Sequence, residues 1–148
     1  MARDFDWSKA LRGELGEDAR KNTEWLKGIS ENLDAVAEGR MYTDGDGFRI
    51  VEDGEEPPED WERVDMFEYF AENYGMTYTL DDYLRLKGCT VMVAFGGPNI
   101  YVDTNKELVE MHWWTTYACY PLSEKACEAV DEFAQDVLEV KGVKEETR

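Results

Sequence analysis

Hydrophobic spacing changes twice along the chain. Between Trp7 and Glu38, Leu26, Ile29, Leu33 and Val36 recur at i, i+3, i+7 and i+10 with Trp25 beside them, which is one apolar stripe of a helix. Glu24, Glu31 and Glu38 repeat every seven residues on another face. Asn22 or Thr23 offers an N-cap and Gly39 a stop, while Gly13 and Gly16 set off residues 7–15 as a separate short helix, so two helices are expected here. Gly45, Gly47 and Gly54 then punctuate a turn-rich stretch around a short strand at Phe48–Val51. Helical spacing returns over Val64–Asn73, where Met66, Phe67, Phe70 and Tyr74 share one side, and Gly75 supplies the stop.

After Gly75 the period becomes two. "MTYTL", "CTVMVAF", "NIYVDT", "LVEMHWW" and "YACY" are rich in β-branched and aromatic residues. Their short links "GGP" and "NK" favour antiparallel neighbours, because parallel strands need a long crossover. A closing helix follows in "YPLSEKACEAVDEFAQDVLEV", with Ser123 as N-cap and Ala126, Val130, Phe133, Val137 and Leu138 facing inward. The expected architecture is α+β: an antiparallel sheet of about four strands covered by helices, with an N-terminal helical segment. Residues 1–40 form that segment, and residues 41–148 carry an acidic loop and the α+β domain as one compact unit with it.

Charge adds what periodicity cannot. The 148 residues hold 34 acids and 16 bases, a net charge of −18, and the excess is uneven. Residues 1–40 are at −2, residues 41–85 at −11 with fourteen acids against three bases, and residues 86–148 at −5. At its centre, "VEDGEEPPEDWERVD" (residues 51–65) has eight carboxylates against Arg63 alone, interrupted by Pro57-Pro58, which no helix can traverse. Such a field opposes direct contact with nucleic acid or an anionic membrane and leaves a basic partner surface. With no apolar leader at "MARDFDWSKA" and no apolar run of spanning length, the expected location is the cytosol.

Chemistry-bearing residues are few. Asp44, Asp46 and Glu55 stand at positions 1, 3 and 12 of a calcium-type loop, but positions 5 and 6 are Phe48 and Arg49, where a ligand and a glycine are needed. The Gly-Gly pair in "AFGGPNIYVDT" leads into a strand with no base before Lys106, so it reads as a turn and not a phosphate cradle. His112 is the lone histidine; Cys119 is the thiol it could activate, with no orienting group in view. Cys89, Cys119 and Cys127 are odd in number and read as buried reduced thiols. Trp113-Trp114 can place one indole outward as an interface anchor. No catalytic residue, metal or cofactor is expected.

On the predicted 64–73 helix, Asp65, Glu68 and Glu72 put carboxylates about 5–6 Å apart on one face. Duplex DNA shows a charge every ~3.4 Å of axis per strand, so such a face with its acidic loop approximates part of a phosphate track. The expected contact surface is Asp53, Glu55, Glu56, Glu59, Asp60, Glu62, Asp65, Glu68 and Glu72. By size and charge the chain resembles small acidic proteins of phages and conjugative elements, which include anti-CRISPR and antirestriction DNA mimics. "VMVAFGGPNIYVDTNKELVEMHWW", followed by "YPLSEKACEAVDEF", also resembles an uncharacterised family of mobile-element proteins in gut bacteria, over about residues 64–140. The first resemblance implies an inhibitor that binds the basic DNA-binding surface of a host defence protein such as a CRISPR effector. The alternatives are a protein-binding module built on the aromatic residues, or a small enzyme.

Overall fold

A computed structural model describes residues 17–113 and 116–142. Helix α1 (Glu17–Ala37) buries Leu26, Leu33 and Val36, with Ile29 packed against the same core, as their spacing requires. Trp25, next to the stripe in sequence, is 49% exposed, because its position turns it away from the core. The helix runs unbroken from Glu17, so Asn22 and Thr23 are interior positions and not caps. The predicted helix over residues 7–15 lies outside the described residues. Gly39 ends α1 with φ 72°, and Arg40 N donates to Ala35 O at 2.8 Å.

Three short strands follow: β1 (Met41–Thr43), β2 (Phe48–Ile50) and β3 (Glu62–Arg63). They form a small antiparallel sheet in the order β2-β1-β3, with the acidic stretch looping from β2 to β3. A single helical turn, α2 (Met66–Tyr69), leads on to β4 (Met76–Leu80), β5 (Leu86–Ala94), β6 (Asn99–Asp103), β7 (Leu108–Trp113) and β8 (Thr116–Pro121). These five make an antiparallel meander in sequence order, one strand more than the estimate of about four. Helix α3 (Glu124–Val140) closes the described fold; Ala126 N donates to its N-cap Ser123 at 3.0 Å.

Register decides which face of the meander is covered. Val102 pairs with Val91 and Val109, and Met111 with Ile100 and Ala118, so these side chains share one face and are all buried. Helix α1 packs over β7 and β8, α3 packs over β5, and the two helices touch each other. Ser30 Oγ donates to Pro121 O at 2.9 Å, and the Ser123 hydroxyl donates to Asp34, so polar contacts pin both helices to the end of β8. Phe70 and Phe133, with ring centroids 5.2 Å apart, bring α2 into the same core. No helix among the described residues is long and apolar enough to cross a membrane.

Candidate partner-binding surface

The acidic stretch is held at both ends. Val51 N donates to Arg40 O at 2.9 Å and Val64 N to Met41 O at 2.8 Å, and both valines are buried. Between them the backbone turns twice. Glu55 N donates to Glu52 O at 3.0 Å, and the Glu55 carboxylate in turn accepts from Glu52 N. Trp61 N donates to Pro58 O at 3.3 Å across a turn that sets Asp60 at φ 68°, a left-handed conformation that Asp tolerates better than most residues. Two turns, two prolines and two buried anchors give the loop a defined course.

Asp53, Glu55, Glu56, Glu59, Asp60, Glu62, Asp65, Glu68 and Glu72 are all exposed. Asp53 Oδ1 lies 4.0 Å from Arg40 Nε with its side chain 98% exposed, a separation at which an exposed pair adds little. The helical face expected for the last three does not form. Helix α2 spans only Met66–Tyr69, Asp65 is its N-cap and accepts from Glu68 N at 2.8 Å, and Glu72 lies beyond its end. Asn73 stops the helix: its Nδ2 donates to Phe70 O at 2.8 Å and its Oδ1 accepts from Gly75 N at 3.0 Å. Tyr74 N then donates to Met92 O at 2.8 Å, so pairing with β5 overrides the helical spacing of the apolar residues.

A longer anionic ladder lies on α3. Glu124, Glu128, Glu132 and Asp136 are exposed and recur at every fourth position, about 6 Å of axial rise per step. Among the described residues no ion pair reaches any of them, and no base occupies the last turn of α3, where a base would suit the helix dipole. The sequence signal is "SEKACEAVDEFAQD", which a search for the apolar stripe alone passes over. A cleft of about 350 Å³ between residues 63–67 and α3 is lined by Asp65, Glu132 and Asp136, so it joins the ladder to the end of the acidic stretch. The anionic surface is thus composite, from two segments distant in sequence.

The candidate catalytic groups occupy other settings. His112 and Glu110 project from the sheet face opposite the helices, as Tyr101 and Cys119 do by register. Glu110 is nearly buried; its carboxylate accepts from Lys106 Nζ at 3.0 Å and Tyr117 Oη at 2.5 Å, and His112 Nε2 lies 3.9 Å away. Burial and the Glu110 carboxylate push the Tyr117 hydroxyl well above the ordinary tyrosine range. Lys106 is raised by its hydrogen bond to Glu110. Burial raises all three thiols, Cys89 to about 12 and Cys127 to about 11, so none is poised as a thiolate near neutral pH.

Asp44 Oδ1 accepts backbone bonds from Gly47 and Asp46, which lower the carboxyl and tie that oxygen to the turn between β1 and β2. Among the described residues no group of three His, Cys, Asp or Glu side chains is arranged to hold a metal ion. Gly96, at φ 99°, turns β5 into β6, and its N–H donates to Asn99 at 3.3 Å. Trp113 is 44% exposed, while Trp114 lies outside the described residues. No protein-family model, curated protein or solved structure matches the chain.

Proposed function

We propose that the protein is an inhibitor of a host nucleic-acid-targeting defence complex, such as a CRISPR effector, and that it acts in the host cytosol by occupying the complex's basic DNA-binding channel. The observation that carries this reading is the exposed carboxylates of the 53–72 stretch and of α3, which no strong ion pair neutralises among the described residues. Several bases have their short carboxylate contacts with other acids: Lys27 with Glu31, Arg85 with Asp81, Lys106 with Glu110, and Lys125 and Arg40 with Glu38, Arg40 reaching Asp53 only at 4.0 Å. A surface left negative in this way attracts Lys/Arg surfaces that bind phosphates, and occupancy excludes DNA with no catalytic group. The α3 ladder supplies the spaced charges that the 64–73 segment was expected to supply.

The test follows target-DNA binding by such an effector across a salt series. Wild-type protein inhibits and loses potency as salt rises; reversals at Glu68 and Glu72, and at Glu128 and Glu132, weaken it. Inhibition indifferent to salt and to all four reversals would sink the reading. A second reading, a protein-binding module of another kind, draws on Tyr74 and Phe95, 61% and 66% exposed with centroids 6.2 Å apart. Trp113 lies at the same end of the sheet, because β5 and β7 run in one direction. Under that reading, truncating these aromatics harms binding more than reversing the acids does.

A further inference from the structure

A surface that only imitated phosphates would need no apolar recess, yet the acids of α3 border one. The cleft between residues 63–67 and α3 has Val36, Val64, Met66 and Phe133 in its lining, all buried residues of the core. Phe67 stands at its side, 47% exposed, with its ring edge-on to Phe133 at 5.0 Å. Asp65, Glu132 and Asp136 form the polar rim. The one base in the lining, Arg63, is drawn towards Tyr42: its Nη2 donates to the phenol oxygen at 3.3 Å and its guanidinium carbon lies 5.8 Å from the ring centroid. The rim therefore presents net negative charge around an apolar floor.

We propose that this cleft receives a large apolar side chain from a basic segment of the partner, with flanking Lys or Arg side chains on Asp65, Glu132 and Asp136. The proposal rests on the anionic-surface reading and adds to it a protein-specific anchor. Charge complementarity selects the occupant. Glu132 and Asp136 are one i,i+4 step apart on α3, and a helical partner carrying Lys at the same step presents cations at the matching interval of about 6 Å. A cleft of about 350 Å³ has room for a large side chain such as Leu or Phe. In this arrangement the charges guide encounter and the buried side chain slows release.

The experiment uses two synthetic 14-residue helical peptides of equal charge, one of leucine and lysine and one of alanine and lysine, titrated calorimetrically into the whole protein at low and high salt. The leucine peptide binds at least roughly tenfold more tightly, the scale set by burying a single large aliphatic side chain. The advantage disappears in Ala129→Leu, which fills the cleft from α3 with a good helix former and whose folding circular dichroism checks. Equal affinities, or an advantage that survives Ala129→Leu, would overturn the cleft proposal and leave the anionic-surface reading standing. Failure of both peptides to bind at low salt would overturn that reading and the cleft proposal with it.

Discussion

Reversing one acid on α3 is expected to make the protein more stable. Glu132 follows Glu128 by four residues and precedes Asp136 by four, and all three are exposed with no ion pair among the described residues. Like charges at i,i+4 cost about 0.2–0.5 kcal/mol per pair, and opposite charges contribute about as much in the other direction. Glu132→Lys converts two repulsive pairs into two attractive ones, but the pair that the introduced lysine makes with Asp136 has the less favourable orientation, with the base N-terminal to the acid. The sum is about 1 kcal/mol, which in a chain of this size raises Tm by roughly 2–4 °C. Urea titration at low salt measures it. At 1 M salt the screening length falls to about 3 Å, shorter than the charge spacing, and most of the gain vanishes. A loss of stability, or a gain that salt leaves intact, would refute the premise that these carboxylates repel one another. The same substitution is expected to weaken partner binding, the combination expected where a surface is kept for function at the expense of stability.

The thiols give a second check. Native protein at pH 8 should resist an aromatic disulfide reagent that titrates all three cysteines once urea unfolds the chain; rapid native reaction at one thiol would contradict their burial. Because burial raises the thiol values in the folded state, their contribution to stability is complete below about pH 9. It is lost as pH rises towards the values of about 11 for Cys127 and about 12 for Cys89, which urea melts between pH 8 and 11 will show as a falling midpoint. Glu110→Ala removes the acceptor of Lys106 and Tyr117 from a nearly buried position and should cost about 1–3 kcal/mol in urea; a change within experimental error would mean that the network contributes nothing.

The meander was legible because alternation of β-branched and aromatic residues, joined by two- and three-residue links, leaves antiparallel pairing as the simple outcome. Ser123 as a cap and Gly39 as a stop were legible for the same local reason. The 64–73 segment departs from its spacing where tertiary pairing decides: the apolar spacing is helical, but Asn73 and the Tyr74–Met92 bond hold the chain in another course beyond Tyr69. Glu110 shows another limit, since a carboxylate in a strand reads as solvent-facing until its neighbours across the sheet are known. Of the candidate site, the exposed acidic loop was legible from charge density. Its partner on α3 was not, because the two segments lie far apart in sequence and only tertiary packing brings Asp65 to the same cleft as Glu132 and Asp136.

Competition for the channel is the central claim, and one titration addresses it. Labelled target DNA bound to a CRISPR effector of the host is displaced by the protein at several DNA concentrations, with displacement read by fluorescence anisotropy. If the protein occupies the DNA channel, the concentration needed for half displacement rises in proportion to DNA without reaching a ceiling, and Glu128→Lys with Glu132→Lys shifts the curve to weaker displacement. Inhibition that reaches a plateau as DNA increases, or displacement unchanged by the two reversals, would contradict the account.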